Sequence, residues 1–190
     1  MPVDYETHFK EHDRFWRNAP PLFFTVHIWQ GFKERMEWIV KNAKGDVLDC
    51  GCNDGTFIEA VRLKGHKTVG VDFLPINIER AKETYPKNEF HVMDIEHLEF
   101  KDQSFDTVAF TETIEHLVDP RKGLKEIHRV LREGGRLLCT TTYIKGEPTH
   151  YQDYHDKDVV IKLLEEFFTI DSVTLDEEHC LFVIATKKEL

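Results

Sequence analysis

Nothing in this chain approaches the ~20 consecutive apolar residues that a membrane-spanning helix requires, so no segment reads as a transmembrane span. The opening residues, Met1-Pro-Val-Asp-Tyr-Glu, lack the basic and apolar blocks of a secretory signal. Cysteine is sparse, and Cys50, Cys52, Cys139 and Cys180 fall at neither metal-site nor redox spacing. Free thiols beside buried strands point to a cytoplasmic protein. Basic residues are also short, 25 Lys and Arg against 35 Asp and Glu, giving a net charge of −10. That deficit weighs against a broad phosphate-binding surface, and so against nucleic acid as a partner. Repeats, low-complexity tracts and a second domain are absent. What remains, 190 residues at 41% hydrophobic and 32% charged, is the composition of one soluble domain with a full core.

The first 44 residues differ from the rest. Trp16, Trp29 and Trp38 all lie there, with Tyr5, Phe9, Phe15, Phe23, Phe24 and Phe32. Pro20-Pro21 interrupts the segment, after which Phe32, Met36, Ile39 and Val40 recur at helical spacing. The reading is two helical pieces: a structural second helix, and a first piece that forms a lid over a ligand. From Gly45 to Leu190, strand and helix signals alternate. Strands are expected near 46–50, 67–72, 90–93, 105–111 and 136–142, with helices between them. Pro75 and the pair Asp119-Pro120 open two of those helices, and Gly134-Gly135 is expected to close the second. A last helix carries Val159, Val160, Leu163 and Leu164 on one face. The two final strands, near 168–175 and 180–186, are too close for a crossover helix and should pair antiparallel. The fold class is therefore α/β, a three-layer sandwich around a seven-stranded, mainly parallel sheet.

Strand one leads into Asp49-Cys-Gly51-Cys52-Asn53-Asp-Gly55, and strand two ends in Asp72-Phe73. A strand, a glycine turn, a helix and an acid some 20 residues on form a nucleotide-binding unit, in which glycines admit close backbone approach and the acid accepts from ribose hydroxyls. The glycine spacing is not that of a dinucleotide site, and no Tyr-x-x-x-Lys pair occurs, so a nicotinamide-dependent reductase is disfavoured. The order Asp49-x-Gly51-x-Asn53-x-Gly55 resembles the first motif of the class I, Rossmann-like S-adenosylmethionine-dependent methyltransferases, in particular the small type 11 group. Asn53 stands where the family has its middle glycine, and Asn tolerates left-handed turns. Asp72, 23 residues after Asp49, matches the family's ribose-binding acid.

The resemblance implies S-adenosyl-L-methionine as cofactor. It places Gly51, Cys52 and Asn53 against the methionine and ribose moieties, within the motif framed by Asp49 and Gly55. Asp72 would hold the ribose and Phe73 would lie against the adenine. Asp94 would accept from the adenine amine, Ile95 would stack nearby, and Thr111 would face the methionine amino group. All stand at carboxyl ends of strands, where open α/β sheets bind ligands.

The acceptor side should follow strand four, in Thr111-Glu-Thr-Ile-Glu-His-Leu-Val-Asp-Pro120. His116 is the candidate general base and Glu112 its companion. Glu112, Glu115 and His116 also sit where one helical turn would align them, and with His155 they could hold a metal, although no metal is the leading expectation. This spelling looks like the Glu-x-x-Glu-His stretch of ubiquinone-pathway O-methyltransferases and of metal-assisted small-RNA 2′-O-methyltransferases. His150 and His155, flanked by Tyr143, Tyr151 and Tyr154, read as an acceptor pocket. The favoured reading is a methyltransferase for a small-molecule acceptor. The alternatives are a metal-assisted RNA 2′-O-methyltransferase and a catalytically silent cofactor-binding partner protein.

Overall fold

The structure is a computed structural model that describes residues 29–142, 152, 156–176 and 180–189. In chain order its elements are α1 (Trp29–Asn42), β1 (Val47–Cys50), α2 (Thr56–Arg62), β2 (Thr68–Asp72), α3 (Pro75–Thr84) and β3 (Glu89–Val92). They continue with β4 (Phe105–Thr111), α4 (Pro120–Val130), β5 (Leu131–Thr142), α5 (Lys157–Glu165), β6 (Phe168–Leu175) and β7 (Cys180–Lys187). Short 3-10 turns at Ile95–His97 and Ile114–His116 follow β3 and β4.

The seven strands form one sheet in the order β3-β2-β1-β4-β5-β7-β6. Strands β1 to β5 pair in parallel, while β7 enters antiparallel between β5 and β6. The alternation of β and α signals could close in parallel only through crossover helices, and those helices cover both faces. Ile39 and Ala43 at α1, Ile58 and Val61 of α2, and Ile78 and Ala81 of α3 pack with Val47 and Leu138 on one face. Leu124, Ile127 and Val130 of α4 and Val160, Leu163 and Leu164 of α5 pack with Leu48, Val108 and Val183 on the other. All four residues of β1 are buried, and β4 beside it is the middle strand of the seven.

Two local expectations change. Helix α4 ends at Val130 rather than at Gly134-Gly135, because Leu131 already pairs with Phe105 as β5 begins. The ladder resumes only at Arg136 opposite Thr107, and Gly134 takes φ 70° inside the bulge between them. Glycine permits that left-handed step, so the pair marks an irregular strand rather than a helix end. On α5, Val159 is exposed while Val160 and Leu164 are buried, so the buried stripe is narrower than the run of apolar residues. Helix α1 packs on the sheet: Ile39 is buried and Trp38 meets Phe182 of β7 edge-on at 5.2 Å. The first helical piece, with its reading as a lid, lies outside the described residues, as do Tyr143, His150, Tyr151, Tyr154 and His155.

Candidate functional site

The turn after β1 is held from below. The amides of Gly51 and Cys52 both donate to the Val71 carbonyl, at 2.8 and 2.9 Å. Gly51, Asn53 and Gly55 adopt φ of 83°, 47° and 81°, a run of left-handed residues that reverses the chain from strand to helix. A Cβ on Gly51 would run into the Thr113 hydroxyl, so the β1 and β4 turns touch only because this position has no side chain. Asn53 occupies the left-handed region at modest cost for its residue type. Asp54 then closes the first turn of α2 by accepting from the Thr56 amide at 3.1 Å and its hydroxyl at 2.8 Å.

Asp72, at the end of β2, is buried and fixed from three sides. Its Oδ2 accepts from the Asn53 amide at 3.0 Å, and its Oδ1 accepts from the Leu74 amide at 2.9 Å and from Asn77 Nδ2 at 3.2 Å. A carboxylate offers about four acceptor positions, so one remains toward the cleft. Burial pushes its carboxyl up to about 6, against the opposing pull of those three donors. Asp49, beneath the same turn, is almost fully buried and neither carboxyl oxygen has a hydrogen-bond partner. Burial first, then the negative Asp72 and Asp54, raise it to about 7.

At the far end, the turn after β4 sets out the other side chains. Glu112 takes φ 47°, its amide donates to the Thr140 carbonyl at 2.9 Å, and its Oε1 accepts from the Thr140 hydroxyl at 2.8 Å. The Cys180 thiol donates to the same oxygen at 3.5 Å, and Arg35 Nη1 of α1 lies 3.9 Å from it. Glu115 is buried, and desolvation together with the nearby Glu112 charge raises its carboxyl well above the ordinary range.

These turns line one open cleft at the carboxyl ends of the strands. Of the residues singled out in the sequence, Gly51, Asn53, Asp72, Phe73, Asp94, Ile95, Glu112 and His116 line it. Asp49, Cys52, Gly55 and Thr111 do not. Cys52 Sγ and Gly55 instead face the Gly70–Phe90 side of the core. Glu115 does not join Glu112 and His116 at the cleft wall, and among the described residues no group of three His, Cys, Asp or Glu is placed to hold a metal ion.

Sequence reasoning passed over Leu74, Asn77, Glu96, Thr113, Leu117 and Val118, which complete the lining. Some carried a signal. A buried Asp72 needs donors, and Asn77 is the amide side chain placed five residues on, at the start of α3. Leu117 and Val118 are apolar residues in the loop ahead of a well-capped helix, where Leu117 is buried and Val118 half-buried along the cleft wall.

Residues 48–139, from β1 into β5, match the family model described as a methyltransferase domain. The chain carries a class I methyltransferase domain of the type 11 group. A probable S-adenosylmethionine-dependent methyltransferase of Mycolicibacterium smegmatis is 28% identical to it over 149 residues, 76% of this chain and 58% of that protein. A demethylmenaquinone methyltransferase of Chlorobaculum parvum is 34% identical over 124 residues, 64% of this chain and 52% of that protein. The methyltransferase domain here thus spans between half and three-fifths of the length of these relatives. In three dimensions, a protein of Pyrococcus horikoshii OT3 superposes with a TM-score of 0.74 at 22% identity, covering 90% of this chain and all of that one, a likeness of fold.

Proposed function

We propose that this chain binds S-adenosyl-L-methionine in the cleft and transfers its methyl group to a small-molecule acceptor in a cytoplasmic setting. The observation that carries the reading is the Asp72 carboxyl, buried, locked by three donors and left with one acceptor position beside the left-handed Gly51–Gly55 turn. That arrangement fits an adenosine ribose, whose hydroxyls need an acceptor, over a backbone that a methionine chain can approach closely. Asp72 would hold the ribose. Phe73, Ile95 and Leu117 supply the apolar walls an adenine ring requires, and Asp94 offers it an acceptor. The turn at Gly51 to Asn53 would carry the amino-acid portion.

When bound, S-adenosylmethionine supplies a methyl on a sulfonium whose leaving group is a neutral thioether, so the chain need not activate a leaving group. Its own residues do the orienting. Glu112, fixed by Thr140 and Cys180, holds the cleft wall at the end of β4. His116 at the same end is suited to take the proton from an acceptor hydroxyl. Support for a small acceptor comes from the modest cleft, the net charge of −10 and the relative that acts on demethylmenaquinone.

Calorimetric titration with S-adenosylmethionine, S-adenosylhomocysteine and NAD tests the cofactor. Binding of both adenosyl ligands, without NAD, is expected, and Asp72→Ala should weaken it at least about 30-fold, the cost of about 2 kcal/mol of lost charged hydrogen bonding. Wild-type protein that binds none of the three sinks the reading. His116→Gln should leave adenosyl affinity within about twofold while turnover on a hydroxyl acceptor falls about 100-fold or more.

A further inference from the structure

Among the described arginines, Arg35 alone has a buried side-chain nitrogen without a hydrogen-bond partner. Its side chain, on α1, is only 11% exposed, yet its nearest charged partner, Glu112 Oε1, is 3.9 Å away and its other contact is Cys180 Sγ at 3.8 Å. Its Nε is buried and has no hydrogen-bond partner among the described residues. Arg62, Arg121, Arg129 and Arg132 each make close contacts to carboxylates, with distances of 2.9 Å or less, although they are more exposed. A guanidinium has five donors in a planar fork and does not lose its charge, so burial with loose partners leaves it short of an oxygen acceptor. Glu112 does not supply that acceptor in this geometry, because its Oε1 stands 3.9 Å from the guanidinium, beyond hydrogen-bond length.

The position says what is missing. The proposed nucleoside subsite runs over β3 and β2, at Asp94 and Asp72, and the glycine turn caps β1. Arg35 lies beyond β4, over the ends of β5 and β7, where Thr142 pairs with Cys180. Strands are spaced about 4.8 Å apart, so Arg35 sits two or more strand spacings past the turn, on the side where an acceptor must enter to meet the methyl group in line. Glu112 lines the cleft and faces Arg35, and so joins the two places.

We propose that Arg35 is a specificity-determining residue of the acceptor subsite, and that it takes a carboxylate oxygen of the methyl acceptor. The inference rests on the methyl-transfer reading and narrows it to acceptors that carry a carboxylate. A bidentate guanidinium–carboxylate pair would satisfy the unpartnered Nε together with one terminal nitrogen.

The test uses the wild-type chain, Arg35→Met and the charge-keeping Arg35→Lys, each saturated with S-adenosylhomocysteine. Formate, acetate and benzoate are titrated against formamide, acetamide and benzamide, with binding read from the shift in unfolding temperature. These probes are small enough to reach the guanidinium whatever the rest of the acceptor is. Wild type is expected to bind each acid at least fivefold more tightly than its amide. Arg35→Met should lose that preference and Arg35→Lys should keep part of it. Equal binding of acid and amide by wild type overturns the proposal, as does a preference that survives in Arg35→Met. Comparing S-adenosylhomocysteine with 5′-methylthioadenosine, which has no carboxylate, separates the other source of a carboxylate. Tenfold or greater loss of the first ligand alone in Arg35→Met would assign Arg35 to the cofactor and overturn the acceptor role. Failure of wild type to bind S-adenosylhomocysteine would instead bring down the methyl-transfer reading itself.

Discussion

Single residues show where this fold has been bent to a task. Asp49 has no polar partner and titrates at about 7, against 3.8 for an ordinary aspartate. Between those values the native chain holds a proton that the unfolded chain has released, so stability falls as pH rises through the window and levels off above it. Asp72, raised to about 6, and Glu115, raised by burial beside Glu112, act with the same sign. Ligand-free protein is therefore expected to lose on the order of 2–4 kcal/mol between about pH 5 and pH 8. Asp49→Asn, which removes the titration while keeping the shape, should flatten much of that slope and stabilise the chain at pH 8. Urea unfolding at four pH values checks this, and a wild-type curve that climbs across the window would contradict it. Asp49 and Asp72 were both legible in the sequence as acids at strand ends. That one of them has no partner was not legible, because it depends on which groups β2 and the turn bring within reach.

At the scale of elements, helix α4 links the core to the cleft. Asp119 caps it through the amides of Arg121 and Lys122. Near its end, Arg129 holds Glu126 at 2.7 Å, Asp102 at 2.8 Å and the Leu98 and Phe100 carbonyls at 2.7 Å. Arg129→Ala should cost about 2 kcal/mol, since two backbone carbonyls and Glu126 lose charged donors at once, and chemical denaturation reads it directly. Gly123 of the same helix makes a finer test. A Cβ there would meet Leu117 Cδ1 at 2.5 Å, and Leu117 is part of the cleft wall. Gly123→Ala gains helix propensity, roughly 1 kcal/mol, while pushing Leu117 toward the ligand. Stability should hold within about 1 kcal/mol while S-adenosylhomocysteine affinity falls several-fold, a split seen by running denaturation and calorimetry on the same sample. Hydrophobic periodicity and capping residues were enough to find α5 and the start of α4, and to bound the β6–β7 pair to within a residue, while the end of α4 came four residues early. The bulge in β5 was not readable, because Gly134-Gly135 suits a helix end and a strand irregularity equally well, and only pairing with Phe105 and Thr107 decides.

For the whole molecule, the alternation of strands and helices fixed both the class and the layers, since a parallel sheet has few ways to cover two apolar faces. The cleft was legible only in part. Acids, a histidine and glycines at strand ends stood out, whereas Thr113 and Leu117, in the same loop as Glu112 and His116, are shown to face the cleft only once β4 sits beside β1. Because ligand and fold share these turns, occupancy should register globally. S-adenosylhomocysteine at about 100 times its Kd adds close to 2.7 kcal/mol, or roughly 5–10 °C in Tm for a domain of this size. No shift at that concentration would mean the cleft is not the binding site. One more consequence follows from the antiparallel entry of β7. The ends of β6 and β7, at Leu175 and Cys180, stand at the same rim as Glu112 and Arg35, while the strands that carry Asp72 and Asp94 lie across the sheet. An enzyme engineer thus has two independent dials on one scaffold. On the proposed reading, changes at the ends of β6 and β7 would alter acceptor choice and leave the proposed grip on the nucleoside untouched.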